Sequence, residues 1–462
     1  MKKAIVLLIS LWLMLASCKN GSYRDVDWSY LEPDYAPSTH AFTSETDAEA
    51  IKRLTESGYL PIGNVAYYYQ TDHYNVRGYY GHPSTIQILD EIDGLPVTGM
   101  TDGFSGCTTL ETLIIGKNLK NMATLTGCSA LTNIVVDKEN KNLFFENNML
   151  FFVHDEVVSL IFSTKNVKGI VEVPNYVTHL SLGAFDVSTE ITKIIIGKDV
   201  NQFYRGNALP LLDDISISED NRWFYSEDGV VYSKEDRSIL YICSNHHTIF
   251  EIPSYIDQID SKLFANCQRL STLVINDKIK GWGDDEYHIV HPEYSNYYIY
   301  DCNSLEEIIV NQSNPYISSF EGCVYSKDYS ELIRVPMAKK NVHLFDGLKR
   351  INVGALSCCH SINVLDIPDS VNYIGERAAE FSSIKEIILG SGINEIHDTA
   401  FAYCNKKVDE LYYHGTIEQL SKVEIHNHNK YLVLSTRYYY SEEKPTERGR
   451  YWHYVDGAVT KW

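Results

Sequence analysis

A chain of 462 residues exceeds the usual span of one compact domain, so it calls for either several domains or an elongated repeat array. Its apolar fraction of 44% suffices for a core, and its 34 tyrosines exceed what a core alone needs. The formal charge of −21 argues against a nucleic-acid partner, because binding phosphates requires Lys and Arg in excess.

The first element is a targeting segment at 1–17. Lys2 and Lys3 precede the apolar run "AIVLLISLWLML", which is too short for a comfortable membrane span. The run ends in Leu15-Ala16-Ser17-Cys18, which resembles the lipobox of bacterial lipoproteins. That resemblance implies cleavage before Cys18 and acylation of its thiol, so that lipid chains anchor the protein and no helix crosses the bilayer. A simple secretory signal with a chance cysteine is the alternative. Residues 18–45 are polar, carry two prolines and show no sustained periodicity, as a flexible tether would. Within 46–84, an N-terminal cap, Thr46 and Glu49 have capping-box spacing and Gly58 is a stop, which predicts a short helix over 47–57. Strand and turn follow in "VAYYYQTDHYNVRGYYG".

From about 85 to 413 the chain repeats itself. One frame, a cysteine with aliphatics at +3, +6 and +8, occurs in "CTTLETLII" (107–115), "CSALTNIVV" (128–136), "CQRLSTLVI" (267–275), "CNSLEEIIV" (302–310) and "CHSINVLDI" (359–367). Longer copies read "VPNYVTHLSLGAFDVSTEITKIII" (173–196) and "IPSYIDQIDSKLFANCQRLSTLVI" (252–275), so strand ends recur 23 residues apart, and 21 apart between Ile115 and Val136. Periods of 20–29 residues with this spacing belong to leucine-rich solenoids. Each unit has an aliphatic stripe too small to bury alone, and stacking merges the stripes into one core. Strand alternation turns Leu273 and Ile275 inward and Val274 outward.

The cysteines stand where a small, soft apolar residue fills a tight corner. Export permits disulfides, and stacked cysteines come within bonding reach. Against pairing stand Ser188 and Ser382 or Ser383, which occupy or neighbour the position in other copies. Metal binding fits poorly, since a ladder spreads ligands along a line while zinc needs them converging on a point. Buried thiols are the favoured reading.

The Ile-Pro…Ala-Phe-x-x-Cys-x-x-Leu frame resembles the BspA-type leucine-rich repeats of bacterial surface proteins, over roughly 85–413. A second unit appears three times, in "NKNLFFENNMLFF" (140–152), "NRWFYSEDGVVYS" (221–233) and "NPYISSFEGCVYS" (314–326). Eight residues after each leading Asn stand Asn148, Gly229 and Gly322, residue types that accept positive φ in a tight hairpin turn. The fold class is thus a β-rich solenoid: a leucine-rich repeat array punctuated by β-hairpin units, with terminal caps. An insertion at 282–300 lengthens one repeat; its His288 and His291 near Asp284, Asp285 and Glu286 read as a solvated acidic loop. The C-terminal cap, 414–462, offers a short helix in "HGTIEQLSKVEI", a strand in "YLVLSTRYYYS" and a hairpin turning at Asp456-Gly457.

Catalytic constellations are lacking: no G-x-S-x-G, H-E-x-x-H, P-loop or G-x-G-x-x-G is present. A carboxylate pair for glycoside chemistry stays open, and His426 and His428 read as loop residues. The sequence therefore predicts a non-enzyme with no catalytic residues, no cofactor and no metal. The family likeness implies a lipid-anchored recognition or adhesion protein at the outer membrane or cell surface, binding a protein of a host or neighbouring cell. A carbohydrate-binding accessory protein or hydrolase, stacking glycans on tyrosines, and a structural envelope spacer are the alternatives. The candidate binding positions are the outward strand residues Ile114, Val135, Ile195, Val274, Ile309, Ile388 and Tyr412, an apolar stripe interrupted by Ser216 and Asp366.

Overall fold

The computed structural model describes residues 46–462, apart from 102, 207–208, 258, 260, 265–266, 281–301 and 405–407. The targeting segment, Cys18, the tether and the 282–300 insertion lie outside the described residues. The described chain falls into two compact units, one ending at His246 and one spanning His247–Trp462. Each is a β-rich stack of leucine-rich repeats.

The first unit opens with helix α1, Asp47–Glu56. The Thr46 hydroxyl accepts from the Glu49 N–H while the Glu49 carboxylate accepts from the Thr46 N–H, so both ends of the capping box close. Ala50 and Leu54 pack on Ala66 and Tyr80 of the sheet beneath. That sheet runs Leu60–Ile62, Val65–Gln70, His73–Tyr79, Leu95–Met100, Glu91–Ile92 in spatial order. Its hairpins are antiparallel, but His73–Tyr79 pairs in parallel with Leu95–Met100 and so converts the hairpin into the start of a stack.

Parallel ladders follow. Thr85–Gln87, Thr112–Ile115 and Asn133–Val136 form one; Gly169–Glu172, Ile191–Ile196 and Asp214–Ile217 form another. Their register places Ile115 beside Val136 and Ile196 beside Ile217, so the 21-residue spacing read from the sequence is one rung. In the second unit Ile249–Glu251, Thr272–Ile275 and Glu307–Val310 stack likewise. Ile275 pairs with Val310, which shows that the long excursion between them closes on the next rung. The last ladder runs Val364–Ile367, Glu386–Leu389, Glu410–Tyr413, Thr436–Tyr440, Tyr451–Val455 and Ala458–Lys461.

The three Asn-led units are hairpins: Leu143–Glu146 with Met149–His154, Phe224–Glu227 with Val230–Ser233, and Ile317–Phe320 with Cys323–Ser326. Their two-residue turns, Asn147-Asn148, Asp228-Gly229 and Glu321-Gly322, have positive φ throughout. This is the primed turn whose twist matches that of the flanking strands. The leading asparagines have a further role. Asn221 donates from Nδ2 to the Gly197 and Val200 carbonyls of the preceding repeat (3.1 and 2.9 Å) and accepts at Oδ1 from the Trp223 and Phe224 N–H groups (both 2.9 Å). Asn140 and Asn314 repeat the pattern, and so does Asn276. One amide, buried at Asn221, Asn276 and Asn314 and half-buried at Asn140, thus ties each such turn to the repeat before it.

The nine cysteines among the described residues are buried thiols. They do more than fill space. The Cys128 thiol donates to the Phe104 carbonyl at 3.1 Å, and Cys404 to the Ala379 carbonyl at 3.2 Å. Ser188 donates to the Thr164 carbonyl at 2.9 Å in the same way, and Ser382 lies 3.4 Å from the Cys404 sulfur. At Cys128, Ser188 and Cys404 the position holds a small donor to a carbonyl one rung back, a role that Ser and Cys both fill. Burial pushes the Cys128, Cys359 and Cys404 thiols up to about 12, so they stay neutral and unreactive. The residue before this Cys or Ser has positive φ in five described copies: glycine at 106 and 127, but Cys358, Phe381 and Tyr403 later in the chain.

One part of the C-terminal reading needs correction. The predicted strand "YLVLSTRYYYS" begins instead as a helical turn, Lys430–Val433, and the strand is confined to Thr436–Tyr440. The turn buries Leu432 in the core of the second unit, a gain the local β-branched and aromatic composition could not reveal. The predicted helix before it is Ile417–Leu420, with a Thr416/Gln419 capping box, and the final hairpin turns at Asp456-Gly457.

Candidate functional site

The outer face of a parallel ladder is built by alternation. In Thr272–Ile275, Leu273 and Ile275 are buried while Thr272 and Val274 face out, and the same pattern holds at Thr112–Ile115 and Glu386–Leu389. Each outer face therefore carries two columns of side chains.

Among the proposed binding residues of the first unit, Val135 is 47% exposed, and Ile114 and Ile195 are half-buried. In the second unit Ile309 is 40% exposed, and Val274 and Ile388 are half-buried. Ile114 and Val135 are register neighbours, as are Val274 and Ile309. The apolar stripe is not continuous, however. Gln87 precedes Ile114 in its column, Ile195 lies between Glu172 and Ser216, Glu251 precedes Val274, and Asp366 precedes Ile388. Where the column turns acidic, the other column supplies an aliphatic group on the same strand: Ile170 beside Glu172, Ile249 beside Glu251, Val364 beside Asp366. These three are strongly exposed, Ile170 at 66% and Ile249 at 62%. The outer faces are mosaics of aliphatic and acidic groups, and the shift between columns is visible only once register is known. One outward pair is neutralised internally, Lys193 Nζ lying 2.7 Å from Asp214 Oδ2 on the next rung.

Tyr412 departs from the sequence reading. It is 4% exposed and is not free surface. Thr436–Tyr440 adds a rung beyond it and places Tyr438 against its ring (5.2 Å between centroids), while Trp452 meets its face edge-on at 5.8 Å. Trp452 is buried, and its indole N–H donates to the Tyr413 carbonyl at 3.0 Å. Lys461 lies over the Tyr438 ring and pairs with Glu410, to which Tyr412 also donates. Burial, reinforced by that hydrogen bond, pushes the Tyr412 hydroxyl up to about 12. The last ladder is thus covered by the chain's own end. Around this cover His414, Tyr440 and Tyr454 form an aromatic cluster, and Tyr454 and Trp462 are exposed.

The two histidines read as loop residues part company. His426 follows the short strand Glu424–Ile425 and meets Glu395 and His397 of the neighbouring rung; His428 sits in a turn with positive φ. Nothing local in "IHNHNKY" signals this, because the partners are about thirty residues upstream and adjacency is created by stacking. Among the described residues no helix is long and apolar enough to cross a membrane.

Comparison with known proteins agrees with the repeat frame. No curated protein is similar enough to match the chain. Among solved structures it is similar to a leucine rich cell surface protein from Faecalibacterium prausnitzii A2-165 (14% identity, 79% of this chain and 97% of that one, TM-score 0.36). It is also similar to the pneumococcal vaccine antigen PcpA (14% identity, 83% and 94%, TM-score 0.35) and to a leucine-rich repeat protein from Bacteroides ovatus ATCC 8483 (14% identity, 82% and 99%, TM-score 0.28). Residues 235–289 and 337–431 match the BspA type leucine rich repeat region in six copies, and these include the Cys-x-x-Leu frame at 267 and the Cys-x-x-Ile frame at 359. Over these matched stretches, about a third of its length, the chain carries BspA type leucine-rich repeats.

Proposed function

We propose that this protein is a non-enzymatic recognition or adhesion module of a bacterial cell envelope, lipid-anchored through Cys18 and binding a protein partner through the outer faces of its ladders. The observation that carries this reading is the exposure of β-branched side chains, Val135, Ile170, Ile249, Ile309 and Val364, among carboxylates on otherwise regular sheets. Isolated exposed aliphatics are ordinary, but aliphatics set in register among acidic groups suit a partner that offers both apolar and basic side chains. The partner class is therefore an extended protein surface with positive charge at its rim.

A second reading is favoured by the aromatic cluster of the C-terminal cap, where exposed Tyr454 and Trp462 flank buried Trp452. Such rings stack on sugars, so glycan binding is the competing function.

Two experiments separate these readings. An array of extracellular and surface proteins, run beside a glycan array with the full chain, should give salt-sensitive protein hits; glycan hits alone would replace the proposal with the second reading. On intact cells, external protease should cut the native protein, and Cys18→Ala should release it from the membrane fraction. Retention of fatty-acid label in the Cys18→Ala variant would end the lipid-anchor proposal.

A further inference from the structure

The sheet that begins with the hairpin Ile317–Phe320 and Cys323–Ser326 continues through Glu331–Arg334 and Arg350–Ile351 and ends in three short parallel rungs, Tyr373–Ile374, Glu395–Ile396 and Glu424–Ile425. Register places Glu395 beside Glu424 and Ile396 beside Ile425. The isoleucines turn into the core, so the two glutamates stand side by side on the outer face of adjacent strands. Like charges directly across a ladder are destabilising unless something lies between them.

What lies there is a pair of imidazoles. His397 and His426 each follow the core isoleucine of their rung, and their backbone N–H groups donate one rung back, to the Ile374 and Ile396 carbonyls at 2.9 Å. Their rings stack with centroids 4.7 Å apart and 21° between planes. His426 Nε2 lies 3.0 Å from Glu395 Oε1 and 3.5 Å from Glu424 Oε1. One donor atom from each of Glu395, His397 and His426 falls within 4.8 Å of the others. His397 Nδ1 is buried and, among the described residues, has no hydrogen-bond partner. The backbone behind the rings is fixed: the buried Asn429 amide donates to the His397 and His426 carbonyls at 2.8 and 3.1 Å and accepts from the Phe401 N–H.

We infer that this corner binds one divalent transition-metal ion through His397, His426 and Glu395, with Glu424 supplying a fourth ligand. Two imidazoles and two carboxylates are the donor set of zinc and its first-row neighbours, whereas calcium and magnesium take oxygen alone. At metal–ligand distances of about 2.0–2.2 Å, tetrahedral donors stand roughly 3.3–3.5 Å apart. The His426–Glu424 separation of 3.5 Å already meets this, the His426–Glu395 pair at 3.0 Å need open by only a few tenths of an ångström, and side-chain rotation of His397 brings in the third donor. The ion would clip the edge rung Glu424–Ile425 to the rung beside it. An edge strand of two residues has few ladder hydrogen bonds, so such a clip would hold an open end of the sheet closed.

The test uses the full chain, stripped of metal with a chelator that is then removed, and titrated with zinc. Bound metal is counted by mass spectrometry after equilibrium dialysis, and Tm is followed in parallel. The native chain should bind one zinc that His426→Gln and Glu395→Gln each weaken at least tenfold, and saturating zinc should raise Tm by ~5 °C in the native chain only. His453→Gln, whose ring stacks on Trp462 elsewhere in the cap, should bind as the native chain does. His426 is half-buried on the edge rung, so its variant should keep the native circular-dichroism spectrum; if it does not, Glu395→Gln carries the comparison. The inference is overturned if the native chain binds no zinc with Kd below about 100 µM. Equal binding by native and variant chains, or an equal Tm shift with calcium, would overturn it too. The first result would mean that the His426 ring bridges the two glutamates by hydrogen bonding alone, without metal.

Discussion

The ladder cysteines show how one position carries two requirements at once. Cys128 is fully buried, so it must be small and apolar enough to pack, and its thiol must also reach the Phe104 carbonyl one rung back. Cys128→Ser keeps the donor and should stay within about 1 kcal/mol of the native chain in denaturant titrations, whereas Cys128→Ala should cost about 1–2 kcal/mol. Equal losses would mean that the donor contributes nothing. A different demand falls on Glu380, which is buried beside Arg377, with 3.8 Å from Arg377 Nε to Glu380 Oε2. Burial raises its carboxyl from 4.5 to about 7, against the pull of Arg377. The unfolded chain releases this proton near 4.5 and the folded chain near 7, so the folded state holds more protons between those values. The contribution of Glu380 to stability is then greatest below about pH 4.5 and declines as pH rises to 7. Glu380→Gln should flatten that decline and stabilise the chain at pH 7.5 by about 1–3 kcal/mol, read from urea midpoints across pH. A decline of unchanged slope in the variant would place the titrating group elsewhere.

At the scale of the element, much of the stack was readable in the sequence. The Cys, +3, +6, +8 frame located the rungs, and the Asn and Gly residues at 148, 229 and 322 located the hairpin turns. Both signals are local: strand alternation and positive φ each fit within a few residues. What the leading asparagines do was not readable, because their partners belong to the preceding repeat. Asn221 illustrates the consequence. Asn221→Ala would leave two carbonyls and two N–H groups without their buried partner, and should cost about 3–5 kcal/mol. Asn221→Asp keeps the acceptor but turns a carboxylate oxygen toward the Gly197 and Val200 carbonyls, so it should be no better tolerated. Amide hydrogen exchange at Trp223 and Phe224 checks this, since both N–H groups should lose protection in the Ala variant. Protection that survives would show the turn to be held by the hairpin alone. The helical turn at Lys430–Val433 and the cover over Tyr412 escaped the sequence reading for the same reason. Each depends on a partner brought near by stacking: the core that Leu432 enters, and the Trp452 hairpin that closes over the last ladder.

Across the whole molecule, the repeat frame fixes which side chains leave the core, and register decides which of them stand together. Seven outward positions were readable as a stripe; the structure leaves six of them as partly accessible members of aliphatic and acidic mosaics and gives Tyr412 to the chain's own cap. The Glu395, His397 and His426 cluster has the same origin, since residues remote in sequence become neighbours one rung apart. The most direct test of the recognition role uses two double variants, Val135→Thr with Ile195→Thr in the first unit, and Val274→Thr with Ile309→Thr in the second. Threonine preserves strand preference and removes apolar surface from the outer face. Binding to the strongest protein hit of the surface array, measured by interferometry beside Tm, should fall at least tenfold in one of the two while Tm stays within ~2 °C of the native value. Undiminished binding by both variants would contradict the assignment of the ladder faces as the recognition surface.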